Sequence, residues 1–250
     1  ESLARSVYLR YLELHGSKVD FTGDFYPGEY LIDVAKELKE SFKDSFLNLP
    51  EDDWIEEVKE FASAAMLKMI KSDLALLGVK MDNYYSEKHL YETGKIVEAI
   101  QTLHSKGLIY RGILPAPKGK IIDDYEEREQ TLFKSTLFGD DVDRPIKKSD
   151  GNWTYFAPDV AYHYDKIERG FDELIDVFGA DHSGYVKRMK AAVKALSGGS
   201  VNLDIKLCQL VRLYKNEKPY KMSKRAGTFV TLSDMITEVG TDVVRFLMLT

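Results

Sequence analysis

LIDVFGADHSGYVKRMKAAVKALSGGSVNLDIKLC, residues 174–208, sets an apolar run before a turn with Gly179, Asp181 and His182, then a helical stretch closed by glycines, then a second apolar run. LIDVFG reads as a buried strand, SGYVKRMKAAVKALSGG as a helix starting directly after the turn, and LDIKLCQLVRLY as the next strand. Strand, helix, strand in that order is the grammar of a parallel sheet. In an open parallel sheet ligands gather at the carboxyl ends of the strands, which is where the Gly-Ala-Asp-His turn falls. Glycine there permits close backbone approach, and the carboxylate of Asp181 is suited to accept ribose hydroxyls. A strand-to-helix turn in which Asp181 only caps the helix accounts for the same residues.

Working toward the amino terminus, NWTYFAPDVAYHYDK (152–166) opens another helix, with Pro158 in its first turn and Tyr155 four residues before Asp159. A carboxylate at that place is stabilised by the helix dipole, whatever else it does. Together with an aromatic hydroxyl it also makes a receptor for a planar cation, since a guanidinium donates two parallel hydrogen bonds to a carboxylate. Before it, residues 112–152 change character: Pro115, Pro117 and Gly119, an acidic run, TLFKSTLFG as a strand, and the loop DDVDRPIKKSDGN. This reads as an inserted, mostly β, exposed module following the strand LIYRG.

The first hundred residues are helical in rhythm. Leu3, Val7, Tyr11 and Leu14 recur at three-to-four spacing up to Gly16, and further helices are expected over 30–45, 52–77 and 87–105, with a short strand at 77–87. The first helix has no cap before Glu1, which suggests an element beginning upstream. The expected division is 1–106, mainly helical; 107–152, a connective insertion; 153–217, half of a nucleotide-binding fold; and 218–250, a signature loop with the start of a helical region.

With 44% hydrophobic residues among 250, the chain can bury the core of one large or two modest domains. Charged residues make up 30%, the apolar runs are only a handful of residues long, and no basic-then-apolar leader opens the sequence. The expectation is a soluble cytoplasmic protein without membrane contact. A single cysteine, Cys208, excludes an internal disulfide and a cysteine-cluster zinc site, and the five histidines lack metal-ligand spacing, so no metal site is expected.

Against a formal net charge of -6, residues 217–230, EKPYKMSKRAGTFV, concentrate Lys221, Lys224 and Arg225 beside Ser223. A solvated basic turn is one account of them. The other is an anion clamp, in which lysine ammoniums act as point charges on phosphate and Ser223 adds a donor. At about 4 Å each cation gains on the order of 4 kcal/mol of attraction at an effective dielectric near 20, before desolvation. Such a clamp stabilises a pyrophosphate leaving group more as its charge develops than in the ground state.

Lys-Met-Ser-Lys after the last strand of such a half resembles the second signature of class I aminoacyl-tRNA synthetases. YPGEYLIDVAKEL (26–38), LFKSTLFGDDVDRPIKKSDGNWTYFAPDVAYHYDKIERG (132–170), VFGADHSGYVKRMKAA (177–192) and KMSKRAGTFVTLSDMITEVGTDVVRFLML (221–249) together resemble bacterial arginyl-tRNA synthetases over nearly the whole chain. The resemblance implies a partial Rossmann-like parallel nucleotide-binding fold of the class I type with a helical and β insertion, acting on L-arginine, ATP with its Mg2+, and tRNA(Arg), in an enzyme that is monomeric at full length. It implies that Tyr155, Asp159 and His182 bind arginine, with Asp159 facing the guanidinium. Gly179, Asp181, Val211, Lys221, Met222, Lys224 and Arg225 would hold ATP, and Lys221, Ser223 and Lys224 would carry the catalytic charge. Arg225 departs from the serine that closes the class signature.

The first class I signature, His-x-Gly-His, occurs nowhere among His15, His89, His104, His163 and His182. The expectation is therefore an internal piece of a longer enzyme, inactive by itself. The alternatives are a non-catalytic relative that binds nucleotide or RNA, and another class I synthetase. A glutamate enzyme would need a cation where Asp159 stands, and a cysteine enzyme would show zinc ligands.

Overall fold

Three apolar stripes, one per helix, meet in the first of two compact units, Glu1–Asp82 with Arg212–Thr250. The computed structural model describes residues 1–114, 127–211, 214–215, 218–219 and 230–249. Helices α1 (Ser2–Leu14), α2 (Tyr30–Phe42) and α3 (Glu51–Leu76) bury Val7, Tyr11, Leu31, Leu38, Trp54 and Val58 in one core. Tyr8 stacks on Trp54 with ring centroids 3.7 Å apart, and its hydroxyl donates to the carbonyl of Phe46 at 2.9 Å. Tyr11 likewise donates to the carbonyl of Lys43 at 2.6 Å, so both phenols bury a ring without orphaning a polar tip.

Helix α3 stops at Gly78, whose φ of +68° lets Val79 and Gly78 donate back to Leu74 and Ala75, both at 2.9 Å. The strand expected over 77–87 does not form. This glycine cap turns the chain out of the helix, and residues 79–86 pair with no strand among the described residues. After a short antiparallel pair, β6 (Tyr214–Lys215) with β7 (Lys218–Pro219), the unit ends in α8 (Leu232–Val239) and α9 (Thr241–Leu249). Thr231 opens α8 with a reciprocal cap: its hydroxyl accepts from the Asp234 N–H at 3.0 Å, and the Asp234 carboxylate accepts from the Thr231 N–H at 2.9 Å. Thr231→Ala should cost the helix about 1 kcal/mol. Amide exchange across 232–239 should accelerate about fivefold.

The second unit, Asn83–Val211, holds α4 (Glu87–Glu92) and α5 (Lys95–Ser105) where one helix over 87–105 was expected. Gly94, at φ +71°, divides them. Strands β1 (Ile109–Gly112), β2 (Gln130–Phe133) and β3 (Arg144–Lys147) form an antiparallel sheet in that order. TLFKSTLFG is strand only as far as Phe133. Ser135–Phe138 is a 3-10 turn, because the Ser135 hydroxyl turns inward to the Val142 carbonyl at 2.8 Å and to Asp140 at 3.0 Å. The insertion is also not wholly exposed: Phe133 and Ile146 are fully buried and join the main core. The buried guanidinium of Arg144 grips Asp140 with two bonds of 2.6 and 2.7 Å. Burial alone would push the Asp140 carboxyl up, but that fork outweighs it and holds the group down.

Helix α6 (Phe156–Glu168) leads to β4 (Glu173–Gly179), α7 (Val186–Ser197) and β5 (Asn202–Cys208). The two strands run parallel and in register, from Glu173 opposite Asn202 to Gly179 opposite Cys208. This is the crossover that residues 174–208 predicted. Leu174 and Leu203 pack with Ala157, Val160, Met189 and Ala192 from α6 and α7. β4 is half-buried rather than fully buried, since Leu174 and Asp176 face the helices while Ile175 and Val177 are 64% and 67% exposed. The second strand is shorter than LDIKLCQLVRLY, for residues 209–211 pair with nothing described.

Candidate active site

The turn after β4 places Gly179 at the strand's carboxyl end, and Ala180–Tyr185 form a 3-10 turn before α7 begins. Gly179 has φ -64°, a value open to any residue, so its role is steric. A Cβ at 179 would stand 2.5 Å from Oδ1 of Asp181. Only hydrogen at that position lets the carboxylate fold back over the strand end. Asp181 and His182 are both exposed, with Oδ2 and Nε2 3.7 Å apart, and the His182 ring lies 6.3 Å from that of Phe178. Val211, three residues beyond β5, is 57% exposed. These groups face solvent at the end of the parallel pair, as a nucleotide site in such a sheet requires.

Tyr155 and Asp159 stand at the amino end of α6. The hairpin formed by β3 and Trp153 delivers them there: Lys147 bridges Trp153, and Thr154 donates to the Ile146 carbonyl at 3.0 Å. Tyr155 is 81% exposed, with the Lys148 ammonium 5.9 Å from its ring centroid. Asp159 lies one turn deeper, half-buried in the first turn of the helix. Burial pushes its carboxyl up; a hydrogen bond from Tyr185 and the positive charges of His163 and Arg188 pull the other way, while the carboxylate of Asp176 adds to the rise. An anion held in partial desolvation is primed for a cation that brings its own donors.

Behind Asp159 lies a polar layer that spacing along the sequence did not reveal. His163, one turn along α6, directs Nδ1 at the Asp159 carbonyl and Nε2 at Oδ2 of Asp176, both at 2.8 Å. Lys166 donates to Oδ1 of Asp176 at 3.1 Å. Asp176 is buried, which by itself would raise its carboxyl, but the bond and charge of His163, then Lys166, hold it below the usual range. On the other side Tyr185 reaches Asp159, its own hydroxyl pushed up by burial and by that carboxylate. The buried guanidinium of Arg188 lies 4.5 Å from the Tyr185 ring centroid. Asp176 left one trace in the sequence, a lone carboxylate inside an apolar strand; Tyr185 and Arg188 left none.

Tyr185 thus joins the turn bearing Asp181 and His182 to the helix bearing Asp159. Lys221, Met222, Ser223, Lys224 and Arg225 lie outside the described residues, so the anion clamp rests on sequence. Among the described residues no three His, Cys, Asp or Glu side chains gather as a metal site, and no helix is long and apolar enough to cross a membrane.

No family model matches the chain. Over 248 residues it is 66% identical to an arginine–tRNA ligase of Ruegeria pomeroyi and 64% identical to one of a Jannaschia species. Each alignment takes in 99% of the chain and 43% of the relative, so the chain spans less than half the length of these curated proteins. Among solved structures, a Campylobacter jejuni protein assigned as an arginyl-tRNA synthetase superposes with a TM-score of 0.78 at 35% identity, over 99% of this chain and 49% of that one. A Thermus thermophilus arginyl-tRNA synthetase shares the fold, with a TM-score of 0.58 at 17% identity, covering 95% of this chain and 44% of its own.

Proposed function

We propose that this chain, which belongs to the arginine–tRNA ligase family over its 248 aligned residues, supplies the arginine pocket and the ribose and pyrophosphate sides of an ATP site that activates L-arginine for transfer to tRNA(Arg). The observation that carries the reading is the half-buried carboxylate of Asp159 in the first turn of α6, where the Phe156 ring lies 6.2 Å from that of Tyr185 at the close of the exposed Asp-His turn.

In this reading Asp159 accepts the substrate guanidinium and Tyr155 flanks it, leaving the α-carboxylate directed toward the end of β4. That carboxylate attacks the α-phosphorus of ATP, and the bond to pyrophosphate breaks. Asp181 accepts ribose hydroxyls, the Gly179 turn and Val211 border the adenosine, and His182 flanks the amino acid. Lys221 and Lys224, with Ser223, Met222 and Arg225 in the same stretch of sequence, meet the growing charge on pyrophosphate. A hydroxyl of the terminal tRNA ribose then attacks the arginyl carbonyl and AMP leaves. No side chain forms a covalent bond, so rate comes from positioning and charge. Mg2+ would enter with the ATP phosphates, and the reaction belongs in the cytoplasm, where tRNA and ATP are found.

The protein expressed from its complete reading frame should charge tRNA(Arg) with arginine and not with lysine, whose ammonium lacks the planar fork. Charging of both amino acids at similar efficiency would refute the pocket. The 250 residues alone, with no His-x-Gly-His, should give no arginine-dependent release of pyrophosphate.

A further inference from the structure

Helix α6 and strand β4 meet through two kinds of contact that differ in what they fix. The apolar one sets Ala157, Val160 and Ala161 in one core with Leu174. It is built largely of small side chains and is non-directional, so it holds the elements together without setting how far one lies along the other. The polar one is directional. Nδ1 of His163 faces the Asp159 carbonyl at 2.8 Å and must donate, since a carbonyl only accepts. Nε2 lies 2.8 Å from Oδ2 of Asp176, and Lys166 donates to Oδ1 of the same carboxylate at 3.1 Å. Two side chains of one helix thus grip both oxygens of one carboxylate on the strand, where His163 and Asp176 have side chains 6% and 7% exposed. A slip of α6 along β4 would leave buried polar groups unpaired, which is far costlier than a slip of alanine over leucine.

This bridge stands behind the site. Residues 169–172 turn the chain back between α6 and β4, so Asp159, on the amino side of His163, and Gly179, on the carboxyl side of Asp176, lie toward the same end of the sheet. At about 1.5 Å per helical residue and about 3.3 Å per strand residue, they stand about 6 Å and about 10 Å beyond the bridge. Resting on the reading of Asp159 as the guanidinium acceptor, with the Gly179 turn on the nucleotide side, we propose that His163 and Asp176 are positioning residues that fix the depth of Asp159 relative to the end of β4, and so select the length of the guanidino amino acid. The α-carboxylate has to reach the nucleotide while the guanidinium rests on Asp159. A homologue one methylene shorter or longer satisfies only one of these demands at a time. A slip of one helical residue, about 1.5 Å, is comparable with one methylene, so an unfixed helix would accommodate either homologue.

The test is aminoacylation by the protein expressed from its complete reading frame, comparing arginine with its homologues one methylene shorter and one longer. Wild type should prefer arginine over either by about 10- to 200-fold in kcat/KM. His163→Leu with Asp176→Leu replaces the bridge by an apolar pair that leaves no charge unsatisfied. At a temperature where urea melts show this double variant folded, the preference should narrow about tenfold, with the ATP KM within about twofold of wild type. His163→Gln places an amide nitrogen near the position of Nε2 and keeps the bond to Asp176, so its preference should stay within about threefold of wild type. His163→Asn, whose shorter amide stands in for Nδ1 and falls short of Asp176, should lose preference as the double variant does. A folded double variant with the wild-type preference would overturn the ruler, as would asparagine and glutamine variants that discriminate alike; with Asp159→Asn inactive toward arginine, either result leaves the pocket standing. Arginine kinetics unchanged in Asp159→Asn would sink the pocket and this proposal together.

Discussion

In the protein expressed from its complete reading frame, Asp159→Asn should lose arginine as a substrate while still binding ATP, with kcat/KM for arginine falling on the order of 10² to 10³-fold. The size follows from truncating one side of a hydrogen-bonded charge pair in a partly desolvated site, which costs about 2–5 kcal/mol, much of it the penalty of leaving the other charge unpaired. Asparagine keeps the shape and one acceptor oxygen, so the measured loss is that of charge and of the second fork bond. The ATP KM should stay within a few-fold, because the groups assigned to adenosine and ribose sit on a different turn. The wild type has a matching pH signature. Burial holds the Asp159 carboxyl above the ordinary range, and a neutral carboxyl cannot pair with a guanidinium. Arginine affinity should therefore weaken on acidification at a pH where an ordinary surface aspartate is still ionised, whereas ATP affinity stays flat in that window. An arginine KM independent of pH down to 4 would remove Asp159 from the pocket.

The parallel crossover was legible in residues 174–208 because a strand, a helix closed by glycines and a second strand each have their own period, and only one handed connection joins them. Asp159 was legible as a carboxylate in a first helical turn. What failed shares a cause: contacts that neither composition nor period carries. The strand expected at 77–87 had the right residues but finds no neighbour, and the Gly78 cap carries the chain away. TLFKSTLFG has strand composition throughout, yet the contacts of Ser135 with Asp140 and Val142 fold its second half into a turn. Full burial of β4 was inferred from an apolar run, whereas Ile175 and Val177 on its outward face are exposed. The layer behind the site is the plainest case. Asp176 belongs with His163, thirteen residues earlier, and Tyr185 with Asp159, on a different helix, and neither pairing has any periodic signal.

Asp176→Ala should be the most destabilising of these changes, lowering stability by about 3–5 kcal/mol, the usual cost of removing one partner from a buried ion pair. The carboxylate is 7% exposed and is the acceptor for both His163 and Lys166. Lys166, at the edge of the layer with its side chain 17% exposed, has water within reach; His163, at 6%, does not. The loss is also felt at the site, since the same imidazole holds the backbone carbonyl of Asp159. Acid dependence separates this pair from simple loss of packing. The folded-state pKa of Asp176 is depressed, so the native state binds fewer protons than the unfolded chain, and the stabilisation is complete above the unfolded value near 4. It is lost as pH falls through the lower folded-state value. Urea melts of the wild type should therefore lose stability steeply below about pH 4, and Asp176→Ala should lie well below wild type at pH 7 but converge toward it in acid. Replacing both partners, in His163→Leu with Asp176→Leu, should recover much of the loss at pH 7, because two apolar groups in place of a buried pair leave no charge unsatisfied. Recovery of stability in that double variant without recovery of arginine KM would assign the pair a second task, holding α6 so that Asp159 meets its substrate at the right depth.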